Sequence, residues 1–199
     1  MKYLVVLLIL ILTACAASEP PPYVVTVENR YGGLCSGSAI DATHVLTAGH
    51  CINYRLDSVQ TSDHTVAARP VAVWREIDTA LYETAEPMNL AAYATPGDFD
   101  PLATGYLFGS CGVWDSPSGR LVNYAGIWSE IAYCGHWQVA MSVSCSGDSG
   151  GPVEQKGVVV GMMVSLSDWQ IADDVKMGNQ LCIVPTAAIQ ERLVMWRNN

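Results

Sequence analysis

From Tyr23 to Val27 β-branched and apolar residues alternate along the chain, a period-two pattern that predicts a half-buried strand. Ser38 to Thr47 holds two short apolar runs around Asp41, and Val66 to Trp74 and Thr79 to Glu83 continue the same texture. Further strands are predicted at Leu121 to Trp128, at Trp137 to Val143 and at Val158 to Val164, an apolar run interrupted by Gly161. Arg55 to His64 is rich in turn residues and reads as surface. The stretch from Pro87 to Pro101, with Pro96-Gly97-Asp98 inside it, is poor in strand signals and reads as a midpoint between two halves. Only Thr186 to Arg197 has helical spacing: Ile189, Leu193 and Trp196 share one face, and Thr186, just after Pro185, is placed to cap the start. Many short strands with frequent Gly and Pro predict antiparallel sandwich or barrel architecture.

Ahead of the strands the pattern changes. Met1 and Lys2 precede nine unbroken apolar residues, Leu4 to Leu12, and then Thr13-Ala14-Cys15. Nine helical residues reach roughly 14 Å against a hydrocarbon core of about 30 Å, so the run is too short to span a membrane and reads as an export signal. Leu12-Thr13-Ala14-Cys15 resembles the bacterial lipobox, in which the cysteine becomes the lipid-bearing first residue. The expected division is residues 1–14 as lipoprotein signal, 15–22 as lipidated Cys15 and a proline-rich stalk, and 23–199 as the folded domain. Ala16 after the cysteine resembles the pattern directed to the outer membrane of Gram-negative bacteria, which would place the domain on its periplasmic side. Ordinary cleavage after Ala16, giving a soluble secreted or periplasmic protein, is the alternative.

Charge and cysteine content narrow the function. The chain has 199 residues with net charge −9, and losing Lys2 with the signal makes it more acidic still. An acidic domain lacks the clustered basic face that nucleic acid requires, and gains nothing from anionic lipid surfaces. Of seven cysteines none forms a CxxC pair, and removal of the signal leaves six for the folded part. That is the arithmetic of an oxidising compartment rather than a zinc ribbon. No metal or other cofactor is implied, and a monomer is expected.

Two motifs carry chemistry. The first is Val45-Leu46-Thr47-Ala48-Gly49-His50-Cys51, preceded by Leu34-Cys35-Ser36-Gly37-Ser38-Ala39-Ile40. The second is Cys145-Ser146-Gly147-Asp148-Ser149-Gly150-Gly151-Pro152. A serine hydroxyl becomes a useful nucleophile only beside a base, and a histidine serves best when a carboxylate steadies its other nitrogen. Asp78, in Ile77-Asp78-Thr79-Ala80-Leu81, is the leading candidate for that carboxylate, with Asp57 and Asp63 as alternatives.

In this order, with an Asp between them, the motifs resemble the chymotrypsin-like, or trypsin-superfamily, serine proteases, most closely small bacterial secreted members. The resemblance covers essentially residues 23–197. It implies an all-β fold of two six-stranded antiparallel Greek-key barrels, about 23–95 and 96–185, and a C-terminal helix over 186–197. It implies a serine endopeptidase acting on protein or peptide substrates through His50, Asp78 and Ser149. The backbone N–H groups of Gly147 and Ser149 would form the oxyanion hole, each donor worth about 3–4 kcal/mol. Gly150 and Gly151 would permit close approach of the first barrel. It also implies disulfides Cys35–Cys51, Cys111–Cys134 and Cys145–Cys182. His44, His64 and His136 lack catalytic context and read as surface or packing residues.

Some features depart from the digestive members. No basic cleavage site precedes Tyr23, so no zymogen switch through a freed N-terminus is expected, and Asp148 needs another partner, for which Arg120 is the candidate. The pocket floor, six residues before the nucleophile, is Val143 in place of the Asp that selects Lys or Arg. Ser144, Met163, Val164 and Ser165 are expected to line the rest, with Met163 about where glutamyl-specific members carry a histidine. Cleavage after apolar or small residues follows. A catalytically silent binding or inhibitory module on the same fold is the alternative reading.

Overall fold

The structure is a computed structural model that describes residues 20–28, 33–52, 57–100, 103, 105–109, 118–122, 138–141, 147–172 and 175–198. β1 (Val24–Glu28), β2 (Leu34–Ala39), β3 (His44–Ala48), β4 (Asp57–Gln60), β5 (Thr65–Trp74) and β6 (Thr79–Thr84) form a closed barrel in the order β1-β2-β3-β6-β5-β4. Every pairing is antiparallel, and β4 against β1 closes the ring, with Val27 opposite Val59. The alternation read in the sequence has its physical counterpart here. Val25, Val27, Val45, Val59, Ala80 and Tyr82 fill the barrel, whereas Leu46, Ala48 and Leu81 point outward. They too are buried, because the second half of the chain covers them.

That second half is a six-stranded sheet in the order β8-β7-β10-β11-β12-β9. Its strands are β7 (Gly105–Gly109), β8 (Ser118–Val122), β9 (Gln138–Met141), β10 (Pro152–Gln155), β11 (Val158–Ala172) and β12 (Val175–Pro185). Among the described residues it is a sheet with β8 and β9 at its ends, where the sequence reading expects a second closed barrel. Leu107, Val153, Val160, Met163 and Ile183 make its own core. Met162, Val164 and Val184 instead join Leu46, Ala48 and Leu81 in a seam between the halves, which Ile189 of the C-terminal helix α1 (Thr186–Arg197) caps.

Several boundaries differ from the sequence reading for physical reasons. Arg55 to His64 is more than surface: Asp57–Gln60 pairs with both β1 and β5, so main-chain closure overrides its polar composition. β7, β10 and β12 lie outside the predicted strands, and β11 runs on to Ala172 because it pairs with β12 along a hairpin. Thr186 does not cap α1. Pro185 holds the N-cap position without a side-chain bond, and the Thr186 hydroxyl donates to the Val159 carbonyl at 2.9 Å. The midpoint between β6 and β7 is tied down by Gln155, whose side chain bonds the main chain of Asp100 and Ala103. No helix among the described residues is long and apolar enough to cross a membrane.

Candidate active site

β3 ends at Ala48 and passes into a 3-10 turn, Gly49–Cys51, that carries His50 into solvent at the seam. A second 3-10 turn, Arg75–Ile77, ends on Asp78 in the left-handed conformation, φ 47° and ψ 48°, immediately before β6. β3 and β6 are neighbours with Ala48 opposite Thr79, so the two turns lie side by side. Asp78 then grips the Gly49–His50 turn at three points. Its carbonyl accepts from Gly49 N–H at 2.7 Å, Oδ1 accepts from His50 N–H at 2.8 Å, and Oδ2 lies 2.7 Å from His50 Nδ1. Gly49 fits only because it lacks a side chain, since a Cβ there would lie 2.9 Å from Asp78 Oδ1.

Asp78 is therefore the carboxylate that meets His50. The alternative Asp63 is exposed in the β4–β5 turn. Asp57 starts β4, and nothing is described of its side chain. His44 pairs with Asp41 and packs edge-on against Trp196, and His64 sits with Thr61, so both have structural partners. His136 lies outside the described residues.

The segment Gly147 to Gly151 docks against the same end of the first barrel. Ser36 N–H donates to the Ser149 carbonyl at 2.8 Å, and that carbonyl lies 4.0 Å from Cys51 Sγ, one residue from His50. Gly150, at φ +85°, presses so closely on the first barrel that a Cβ would stand 2.2 Å from Ser36 O and 2.3 Å from Thr47 Oγ1. Gly151 makes its close approach elsewhere, to Phe108 of β7, rather than to the first barrel. Gly147 also has a positive φ, 108°, a conformation glycine adopts without steric cost. The hydroxyl of Ser36 donates to its carbonyl at 2.7 Å and fixes the orientation of that peptide. Asp148 is fully buried beside Gly109, and its carbonyl accepts from Gly151 N–H. Arg120, its expected partner, lies on β8 opposite Leu107, and nothing is described of its side chain.

Cys35 and Cys51 form a disulfide that ties β2 to the turn of His50. Cys182 is also disulfide-bonded, its partner lying outside the described residues, as do Cys15, Cys111, Cys134 and Cys145. Of the expected pocket residues, Met163 belongs to the second-sheet core and Val164 to the seam, both nearly inaccessible. Met163 also exchanges main-chain bonds with Gly150 and Gly151, which sets β11 directly behind Ser149. Val143 and Ser144 lie outside the described residues, and Ser165 is described by its pairing with Cys182 alone. Among the described residues no cluster of His, Cys, Asp and Glu is suited to a metal. The roles of Ser36 and Thr47 are not part of the sequence reading. Ser36 sits inside the first motif, yet nothing in its neighbours marks it as the residue that holds the Gly147 to Gly151 segment.

The model of the trypsin-like peptidase domain family matches residues 35–162, which contain both motifs. No curated protein matches the chain. Among solved structures it is similar to the inactive form of Rv3671c from M. tuberculosis H37Rv in a serine-to-alanine mutant. That match has 16% identity and a TM-score of 0.70, over 89% of this chain and 88% of that one. A second structure, of the Rv3671c protease in its inactive form, matches with 17% identity and a TM-score of 0.68, over 87% of this chain and 88% of that one. These likenesses support the chymotrypsin-like fold, and the family match over most of the chain gives the identity: this protein belongs to the trypsin-like peptidase family.

Proposed function

We propose that the chain is an exported serine endopeptidase that cleaves through an acyl-enzyme. The observation that carries the reading is the grip of Asp78 on the Gly49–His50 turn, with two of its three bonds made to His50 itself, beside the docked Ser149 segment. In this mechanism Ser149 Oγ attacks the scissile carbonyl carbon while His50 Nε2 takes its proton. Asp78 accepts from Nδ1–H, fixing the tautomer and stabilising the imidazolium. The N–H groups of Gly147 and Ser149 hold the oxyanion. His50 returns the proton to the amine as the C–N bond breaks, and water, deprotonated by the same imidazole, then releases the acid product. The second sheet completes a barrel by closing β8 towards β9. Beyond Met162, β11 pairs only with β12 among the described residues, which leaves an edge near Ser149 on which a substrate strand can add. Val143 at the pocket floor offers no carboxylate to Lys or Arg, so cleavage follows apolar or small residues. Attachment to the membrane is through lipid on Cys15, with 15–22 as the stalk.

A fluorophosphonate probe tests the chemistry. Labelling of Ser149 that vanishes in His50→Ala supports the peptidase; a chain that binds peptides but never labels is a silent module. A peptide-library profile dominated by Arg or Lys before the cut would overturn the specificity.

A further inference from the structure

Away from His50, Asp78 and Ser149, a cavity of about 410 Å³ lies between α1 and the seam. That volume falls within the range of about 300–1,000 Å³ usual for small-molecule sites. Its lining is mostly apolar, with buried Leu46, Met162 and Ile189 among its walls. The helix residues that line it run from Thr186 to Arg197, which at 1.5 Å per residue is a length of about 16 Å. A site of that volume drawn out over that length is an elongated slot, a shape that suits one extended chain.

Four polar residues interrupt the apolar surface, of which Thr186 already donates its hydroxyl to the Val159 carbonyl and Gln190 is exposed. Ser38, 4% exposed, makes no side-chain hydrogen bond among the described residues. Arg197 stands exposed on the rim and has no ion-pair partner among the described residues. In a chain with 19 acidic residues against 10 basic ones, a lone guanidinium at the end of an apolar slot selects by charge. We propose that this cavity binds a single-chain anionic amphiphile of medium length, the alkyl chain lying along α1 and the acidic head held at Arg197. The site is separate from the peptidase machinery, so it stands or falls independently of that reading.

The test is displacement of trans-parinarate, a linear fluorescent polyene acid, from the full chain in detergent-free buffer, below the micelle concentrations of the competitors. Laurate and dodecyl phosphate should each compete at least about tenfold better than dodecanol or dodecyltrimethylammonium, and their ranking identifies carboxylate or phosphate as the preferred head. Arg197→Gln should remove the preference for the acids over dodecanol while leaving dodecanol itself unchanged. Leu193→Trp, which fills the slot, should abolish displacement. Competition by dodecanol equal to that of the acids, or an acid preference that survives in Arg197→Gln, would overturn the proposal.

Discussion

A single non-glycine residue with positive φ stands at the centre of the candidate site. Asp78 is held left-handed at φ 47°, a conformation that disfavours most side chains and that persists where surrounding bonds over-determine it. Those bonds are its contacts with Gly49 and His50, and the Thr79 hydroxyl donating to the Ile77 carbonyl secures the far side. Asp78→Asn keeps the size and the φ tolerance but offers an amide where Nδ1 needs an acceptor. Turnover should fall about 10⁴-fold at neutral pH while peptide affinity holds, a split that kcat and KM measured separately will reveal. A drop confined to KM would mean that Asp78 only shapes the loop. His50, Ser149 and Asp78 are singled out because each sits in a motif whose chemistry demands that residue type, and the structure brings His50 and Asp78 together. Ser36 was not readable, because its importance lies in a bond to Gly147 across 111 positions, and no local pattern encodes that.

At the scale of elements, strands with strict alternation were legible and those defined by partners were not. β3 and β6 announce themselves by apolar residues on both faces, because one face fills the barrel and the other the seam, and β1 by its valines, which all pack in the barrel cluster. β4 is polar and short and becomes a strand only by closing β1 to β5. The connection from β2 to β3 is likewise built from polar contacts. Asp41 Oδ1 accepts from the N–H groups of Thr43 and His44, and both its oxygens face His44 Nδ1. Partial burial, the largest single influence on this carboxyl, pushes its pKa up. The Thr43 and His44 amides and the His44 imidazole together outweigh it and hold it below its ordinary 3.8. A carboxyl depressed in the folded state contributes stability above its unfolded pKa and loses it as pH falls through the folded value. Asp41→Asn should therefore be less stable than wild type at pH 5–7, with the gap closing below about pH 4 in urea melts. A gap independent of pH would show that the turn needs only an acceptor. The Cys35–Cys51 bridge closes a separation of 16 residues across the same pair of strands. Replacing both cysteines with serine should cost about 3 kcal/mol in the chain-entropy model, read as a lower urea midpoint at unchanged slope.

The whole molecule depends on how its halves meet, since His50 and Asp78 come from the barrel and Ser149 from the segment that leads into the second sheet. Apolar packing at the seam supplies most of that contact, but packing alone slides easily, and polar bonds across it fix the register. Tyr23, the residue just before β1, donates its hydroxyl to Glu154 Oε2 of β10 at 2.5 Å, across 131 residues of chain. Burial, and then the bond and charge of Glu154, raise the phenol far above its ordinary pKa of 10. A raised folded pKa contributes stability that is complete below the unfolded value and is lost as pH climbs towards the folded one. Tyr23→Phe leaves a half-buried carboxylate without its donor, so it should lower stability by about 1–3 kcal/mol at pH 7. The deficit should shrink above pH 10, where wild type begins to lose the same contribution and the phenylalanine variant has none to lose. Because the bond orients one half against the other, turnover should fall further than the small loss of folded population explains. In Glu154→Gln the phenol keeps an uncharged acceptor, and most of the turnover should return. Turnover unchanged in Tyr23→Phe despite reduced stability would show that the apolar seam sets the register by itself.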